Sequence, residues 1–311
     1  MDLYMAIALI VLTSALSMLI GFRVGHHRSR RLQLTVQLLV LCLGILYFVF
    51  VWNRPILTLL LPHTALIVLA NWHSVLGCFF AGMYLTADCV SRCRRLLIGS
   101  GTAALSCYAI VAPLVGQPPR CAETFSQAPL VKQSTPFTCS PAAAASLLRL
   151  HGIQVTEAEM ARLCLTRHGT HWMGLYRGLK VKTKDSMWNV AAETYSAQAA
   201  RELGERLAIL SVNMNTKQSG SPLEHGFNEN SGHSVVALGA HEHMGLMVFD
   251  PAPNYGIEAW NDSMLNRISD GVILTLVPRS AEITSPVITA DLAMTHRARH
   301  TVAHAGFDRI H

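Results

Sequence analysis

One cysteine in the sequence lies where a thiol can become a nucleophile. Cys139 directly precedes an alanine- and leucine-rich run that continues to Leu150 and stops at Gly152, which predicts a helix. Pro141 fits the first turn of such a helix, so Cys139 is expected at the helix N-terminus. The unpaired amides and the helix dipole there favour an anion and lower the pKa of a thiol. The alternative is a structural cysteine near a helix start, and a nearby base would distinguish the two.

A base and an orienting acid are predicted from one β-hairpin. Apolar runs at 234–240 and 246–249 are separated by a turn at 243–245, which is typical of two antiparallel strands. His233 opens the first strand and Asp250 closes the second, so pairing of the strands brings the two side chains to the same end of the sheet. This arrangement suits a general base and the carboxylate that fixes its tautomer.

The combination of these segments resembles a known family, the papain-like cysteine peptidases that remove double-glycine leader peptides. Such peptidases form the N-terminal domain of bacteriocin-exporting ABC transporters and also occur alone. The resemblance covers about 129–278, where Gly169 and Thr170 lead a short helix and 271–277 form a closing strand. The residues that carry it are Gln133, Cys139, Pro-Ala-Ala at 141–143, Gly-His-Ser-Val-Val at 232–236 and Asp-Pro-Ala at 250–252.

The resemblance implies a role for each of four residues. Cys139 would be the nucleophile, His233 the base and Asp250 the orienting acid, without a metal or cofactor. The Gln133 side chain and the Cys139 amide would form the oxyanion hole, in which one donor is typically worth about 3 to 4 kcal/mol of barrier. The partner implied is a peptide or small precursor protein, cleaved after small residues such as Gly-Gly.

The sequence also departs from the family. Thr138 and Ser140 flank the cysteine where the family commonly has Asp and Gly. The chain contains no Gly-x-x-x-x-Gly-Lys-Ser/Thr loop, so any export or assembly machinery would be a separate protein. The apolar region precedes the peptidase-like region, which reverses the transporter order. Two alternatives therefore stay open, a non-catalytic module that binds a leader or partner, and a transamidase that uses the same thiol.

The composition predicts a membrane protein. Hydrophobic residues make up 51% of the 311 residues and charged residues only 14%, whereas soluble domains carry about 25% charged residues. The apolar residues concentrate in 1–116. The net charge of +6 comes largely from arginines at 23–31 and 92–95 that flank apolar segments. Membrane topology explains these arginines better than nucleic-acid binding does, and no nucleic-acid partner is expected.

Four membrane spans are favoured, although three or five stay open. The segments 1–22, 32–52 and 96–116 are each about as long as the 20 residues that a spanning helix needs. The segment 56–88 is interrupted by polar residues and forms either one crossing with an interfacial segment or two short crossings. One crossing places both arginine clusters on the cytoplasmic side. The globular region would then be extracytoplasmic, on a bacterial inner or plasma membrane.

These observations predict the fold class and the domain limits. We expect an N-terminal all-α transmembrane helical region at 1–118 and an α+β papain-like cysteine peptidase domain at 119–280, with N-terminal helices packed on an antiparallel sheet. A basic, disordered tail is expected at 281–311. Cys121 and Cys164 would lie in an oxidising compartment, where they could pair.

Further histidines could ligate a metal, but this interpretation is not favoured for any of them. Turn histidines and a disordered basic tail explain them better, so no metal is expected. The residues concerned are His241 and His243 near the hairpin turn, and His296, His300 and His304 in the tail.

One long segment could gate the site. Residues 216–230 are rich in Gly, Ser and Asn and directly precede the strand that His233 opens. Loops of this length are often functional, so we expect this one to act as a lid or to contact the substrate.

Overall fold

The computed structural model describes residues 2–86, 91–121, 128–214, 232–241 and 245–279. The chain separates into two units, Met1–Val277 and Pro278–His311, and the helices and strands described belong to the first apart from the last residue of the final strand. The predicted lid, the side chains of the His241 and His243 pair and the histidine-rich tail lie outside the described residues.

The N-terminal half is helical. The interrupted segment that begins at residue 56 forms two short helices followed by a longer one, rather than two short crossings. The elements are α1 (Asp2–Gly25), α2 (Arg30–Phe50), α3 (Ile56–Leu60), α4 (Leu66–Leu69), α5 (Trp72–Leu85) and α6 (Arg92–Val111), with a 3₁₀ turn at Ala112–Leu114.

Four stretches of this half are long and apolar enough to span a membrane, which agrees with the favoured number. They are Asp2–Gly25, Arg30–Phe50, Leu66–Leu85 and Arg92–Leu114. Within them, α1 packs closely on α5 because both carry glycine at the contact. A Cβ at Gly21 would lie 2.1 Å from the Phe79 carbonyl oxygen, and one at Gly82 would lie 2.1 Å from that of Met18. Small residues allow such close backbone approach between membrane helices.

The C-terminal half has the expected fold class, helices packed on one antiparallel sheet. The strand order is β1-β6-β2-β3-β4-β5; β2 pairs with β3 and β6, β3 with β4, and β4 with β5, all antiparallel. The elements are α7 (Cys139–Leu150), α8 (Glu157–Leu163), α9 (Trp172–Lys182), β1 (Trp188–Thr194), α10 (Ala197–Arg201), β2 (Ala208–Met214), β3 (His233–His241), β4 (Gly245–Phe249), β5 (Ile257–Trp260), α11 (Asp262–Arg267) and β6 (Ile268–Pro278).

Helix α7 is the central helix of this half. Its residues are buried from Ser140 to Arg149, and four consecutive alanines allow it to pack closely on β2 and β3. The next helix, α8, begins with a side-chain cap, because Thr156 Oγ1 accepts a hydrogen bond from the Glu159 amide. Cys164 follows α8 and is buried, and both it and Cys121 are free thiols rather than a disulfide.

The two halves share a buried apolar cluster. Ile10 of α1 and Leu66 of α4 belong to the same cluster as Tyr176 of α9. Polar contacts accompany it, since Arg177 Nη1 donates to the Thr64 carbonyl oxygen at 3.4 Å. The helical half therefore packs directly on α9 of the half that carries the predicted nucleophile.

Candidate active site

The predicted nucleophile is the first residue of α7. Cys139 is partly exposed, whereas the residues that follow it in the helix are buried. Thr138 precedes the helix, but its Oγ1 donates to the Thr135 carbonyl oxygen at 3.0 Å instead of capping the helix. Among the described residues no side chain caps this N-terminus, so its amides and dipole act on the thiol.

The predicted base and acid meet at one end of the β3–β4 hairpin. The strands pair antiparallel, with Val236 opposite Phe249. His233 begins β3 and Asp250 follows β4, and both side chains are buried. His233 Nε2 lies 2.9 Å from Asp250 Oδ1, and the same carboxylate oxygen accepts a hydrogen bond from the Ala252 amide at 2.8 Å. The hairpin therefore produces the contact that the sequence pattern predicts.

The thiol completes a chain of three side chains. A hydrogen bond joins the Cys139 thiol to the His233 side chain, because α7 packs on β3 and starts beside its first residue. The Nε2 atom of His233 contacts Asp250, which leaves Nδ1 as the other ring nitrogen. Residues separated by more than a hundred positions in the chain thus form one continuous proton path.

The shifts of the two pKa values favour a thiolate beside a protonated imidazole. Burial raises the pKa of the Cys139 thiol, but the hydrogen bond and charge of His233, with smaller contributions from Ser234 and Ser140, lower it below its ordinary value. Burial lowers the pKa of His233, but the hydrogen bonds to Asp250 and Cys139 outweigh it and raise this pKa to about 10. Both shifts act in the direction of a thiolate beside an imidazolium.

Gln133, the predicted oxyanion-hole residue, lines the same cavity as Cys139. Its backbone amide donates to the Pro251 carbonyl oxygen at 2.8 Å, which ties it to the segment after the acid. Its Nε2 atom donates to the Thr135 carbonyl oxygen at 3.1 Å. An amide nitrogen has two N–H groups, and the second has no partner among the described residues.

A serine pair beside the nucleophile and the base was missed at the level of sequence. Ser140 and Ser234 each follow one of these two residues, and their Oγ atoms are 2.8 Å apart in the core. The bond fastens the start of α7 to β3. The bond gives a physical reason for serine at position 140, where the family commonly has glycine, because a glycine could not form this bond. The sequence gives one indication of this contact, namely that a serine directly follows both the predicted nucleophile and the predicted base.

Cys139 and His233 line a cavity of about 910 Å³, whereas Asp250 is fully buried behind His233. The C-terminal half lines the cavity with the loop before α7, the loop before α9 and the ends of β2, β3 and β6. The helical half also contributes, which the sequence pattern did not predict. Its lining residues are Phe48 near the end of α2, and Trp52, Asn53, Arg54 and Pro55 in the connection to α3.

Within the described part of the chain, no three His, Cys, Asp or Glu side chains are arranged to hold a metal ion. His171 lines the cavity, but its side chain accepts a hydrogen bond from the Met173 amide and caps α9. The described residues bring a thiol, an imidazole and a carboxylate into one chain of contacts.

Helices packed on one antiparallel sheet, with a thiol at a helix start beside a buried histidine, match the arrangement expected for a cysteine-peptidase fold. Residues 125–267, a little under half of the chain, match the model of the Peptidase_C39 like family. A comparison with curated proteins finds no match.

Among solved structures, similar chains are peptidase domains of transporters. The peptidase domain of Streptococcus ComA, a bifunctional ABC transporter involved in a quorum-sensing pathway, is 20% identical with a TM-score of 0.38, and the alignment covers 48% of this chain and 98% of that one. A double-glycine-motif protease from an AMS/PCAT transporter, in complex with the leader peptide, is 17% identical with a TM-score of 0.34, covering 53% and 96%. The peptidase domain of Streptococcus mutans ComA is 19% identical with a TM-score of 0.32, covering 49% and 100%.

Proposed function

We propose that this protein is a membrane-anchored cysteine endopeptidase that cleaves a peptide or the leader of a small precursor protein. The observation that carries the proposal is the contact chain from the Cys139 thiol through His233 to Asp250. The family model that residues 125–267 match supports the same chemistry. The retained acid, base and nucleophile argue against a module that only binds a leader.

The reaction follows from the geometry. The Cys139 thiolate attacks the scissile carbonyl carbon, and a C–S bond forms while the carbonyl π electrons move to oxygen. The free N–H of Gln133 and the backbone amide of Cys139 stabilise this oxyanion. The protonated His233 then gives its proton to the leaving amine as the C–N bond breaks. Water, deprotonated by the now neutral His233, attacks the thioester and releases the acid and the thiol.

Asp250 acts through His233. Its carboxylate holds Nε2, so Nδ1 stays directed at the sulfur and the imidazolium is stabilised throughout the acylation step. The carboxylate does not exchange a proton in this mechanism. Ser140 and Ser234 keep the helix start and the strand start at the spacing that the proton transfer requires.

The proposal also includes a cleavage preference and a side of the membrane. The resemblance to double-glycine peptidases supports cleavage after small residues such as Gly-Gly. With four spans, the arginines between α1 and α2 and those at the start of α6 lie on one side, which the positive-inside rule makes cytoplasmic. Residues 119–280 then carry the catalysis outside the cytoplasm, residues 1–118 form the anchor, and a separate machinery exports or assembles the product.

A thiol-directed activity probe tests the proposal. The full-length protein in lipid nanodiscs is treated with an epoxide probe, and the labelled cysteine is identified by peptide mass spectrometry. We expect labelling at Cys139 that disappears in Cys139→Ala and persists in Cys121→Ala, a half-buried thiol of the same half outside the cavity. Equal labelling of the wild type and of Cys139→Ala would refute the nucleophile. In cells, labelling without permeabilisation would support the extracytoplasmic side.

The molecule that accepts the acyl group distinguishes a hydrolase from a transamidase. Digestion of a Gly-Gly peptide in ¹⁸O-labelled water adds one heavy oxygen to the new carboxylate when water accepts the acyl group. A transamidase would instead give a product that contains an added amine and no heavy oxygen. We expect the heavy-oxygen product, because no second amine site is required by the mechanism above.

A further inference from the structure

The connection between α2 and α3 forms one wall of the catalytic cavity. Phe48 and Trp52 project from the end of a candidate membrane span, with ring centroids 5.6 Å apart, and both side chains are exposed. Aromatic side chains at the end of a span are typical of the membrane–water interface. In a membrane-anchored protein, this side of the cavity would therefore lie at the surface of the bilayer.

This connection is fastened to the peptidase half. Asn53 has φ of 59°, the left-handed region that Asn tolerates better than most residues. Its Oδ1 atom accepts a hydrogen bond from Trp172 Nε1 at 2.6 Å, and Trp172 is both the first residue of α9 and a lining residue of the cavity. The turn is thus held at the cavity by a side chain of the catalytic half.

The wall carries a cation. Arg54 is exposed, lines the cavity and forms no ion pair with any of the residues that the structure describes. Asp270 is the acidic residue among the described residues that line the cavity, and it already accepts a hydrogen bond from Asn213 Nδ2 at 2.5 Å. Arg54 therefore has its guanidinium donors available in the space that a substrate would occupy.

A guanidinium suits one ligand chemistry above others. Its planar fork binds a carboxylate through two parallel hydrogen bonds, and the cavity wall reduces the competition from water. We infer that Arg54 determines specificity by binding a carboxylate of the peptide substrate, while Phe48 and Trp52 contact the apolar part of the same peptide at the bilayer surface. The inference rests on the proposed function and adds its substrate class, an acidic peptide cleaved at the membrane surface.

Binding to an inactive variant tests this without requiring cleavage. Full-length Cys139→Ala protein in zwitterionic nanodiscs is titrated with Gly-Gly decapeptides that carry a neutral fluorophore, and the affinity is measured by fluorescence anisotropy. Each peptide has Asp, Asn or Lys at one position scanned on either side of Gly-Gly. A second set compares a free C-terminal acid with its amide, which separates a side-chain carboxylate from a terminal one.

We expect one Asp position, or the terminal acid, to strengthen binding about three- to tenfold over its neutral counterpart, as for a partly shielded charged hydrogen bond. Arg54→Ala in the Cys139→Ala protein should remove the preference, Arg54→Lys should retain part of it, and Arg54→Glu should transfer it to the Lys peptide. The matched control is Arg28→Ala, between α1 and α2, which should leave the preference intact.

Two outcomes overturn the inference. Equal affinities of the acidic and neutral peptides, including no binding by any of them, exclude carboxylate recognition. A loss of affinity in Arg54→Ala that is the same for acidic, neutral and basic peptides assigns Arg54 to the membrane surface instead. Cleavage by the otherwise wild-type protein is measured in parallel. Cleavage without a charge preference leaves the peptidase proposal standing, whereas charge-dependent binding without cleavage refutes the peptidase proposal alone.

Discussion

Two thiols of the C-terminal half lie in opposite environments. Cys139 starts α7, where the helix dipole favours an anion, while Cys164 follows α8, where the dipole disfavours one. Burial raises the pKa of both thiols. For Cys164 the weaker effects of Arg177 and the Gly178 amide do not compensate, and its pKa rises to about 12. For Cys139 the hydrogen bond to His233 reverses the sign.

The comparison shows how a neighbouring histidine changes the effect of burial on the pKa of a thiol. A buried thiol without a proton acceptor remains neutral and behaves as a small apolar side chain. The same burial beside a histidine that a carboxylate holds lowers the pKa of the thiol instead of raising it. Removing, weakening or titrating this histidine should therefore change Cys139, whereas Cys164 should act through its packing volume alone.

The largest effect is expected for His233→Ala. Without the imidazole, burial is the dominant effect on Cys139 and its pKa should rise above the ordinary value of 9.0. We expect the cleavage rate of a Gly-Gly peptide to fall about 10²- to 10⁴-fold, the usual contribution of a general acid–base residue. Probe labelling at pH 7 should fall with it. His151→Ala, at the other end of α7, is the control and should label normally.

Unchanged labelling in His233→Ala would show that His233 does not cause the difference in pKa between Cys139 and Cys164. It would mean that the helix N-terminus alone ionises the sulfur. The base of the reaction would then have to be sought elsewhere in the cavity.

A smaller loss is expected for Asp250→Asn. The substitution keeps the shape but removes the charge that holds the imidazolium, so the pKa of His233 should fall below about 10. Loss of the acid should be about tenfold to a hundredfold less severe than loss of the base, as in other catalytic triads. The pH–rate profile measures both changes. Asp262→Asn, a surface residue paired with Arg201, is the matched control.

An Asp250→Asn profile that superimposes on that of the wild type would contradict the orienting role. A rate reduced at all pH values without movement of the basic limb would indicate that Asp250 affects only the structure of the hairpin.

The pH dependence of alkylation distinguishes the thiols without a mutation at either one. The lowered pKa of Cys139 means that thiolate persists below pH 9.0, so labelling should decline by about tenfold per pH unit only below that lowered pKa. Cleavage should also decline above about pH 10, where His233 loses the proton that the leaving amine needs. Cys164 should react only in denaturant, because it is buried and its pKa is about 12.

An acid limb centred at or above pH 9.0 would contradict the thiolate–imidazolium pair. Iodoacetamide labelling followed by mass spectrometry gives the limb for each cysteine separately. The two thiols therefore serve as internal controls for each other.

Much of the site could be predicted because its signals are local. The hairpin places His233 and Asp250 together through strand alternation and a short turn. The alanine-rich composition after Cys139 gives the helix that presents the thiol. These features depend on residues close in sequence, and their periodicity is visible without any tertiary information.

Other parts of the site depend on packing between distant segments. The bond between Asn53 and Trp172 joins residues 119 positions apart, and the bond between Ser140 and Ser234 joins residues 94 positions apart. No local pattern specifies such contacts. The possible pairing of Cys121 with Cys164 rested on the expected compartment alone, and the burial of Cys164 against α9 leaves both thiols free.

The smallest expected effect concerns Cys164 as packing volume. A Cβ at Gly178 would lie 2.3 Å from the Cys164 sulfur, which is buried and cannot move away easily. Gly178→Ala should therefore lower the free energy of unfolding by about 1 to 3 kcal/mol, the usual cost of overpacking. Cys164→Ala removes the sulfur, so the double variant should recover most of this loss. Thermal unfolding of the full-length protein in detergent, followed by tryptophan fluorescence, measures the four proteins of the cycle.

Gly101→Ala is the control, because a Cβ there meets nothing within 4 Å. Equal destabilisation of Gly178→Ala with and without the sulfur would assign the clash to the Met160 side chain or the Cys164 amide, which lie 3.0 and 3.3 Å from the same position. Recovery in the double variant, with Cys139 labelling unchanged in all four proteins, would separate the two roles of sulfur. The thiol at α7 acts through its charge, whereas the thiol after α8 acts through the space that it fills.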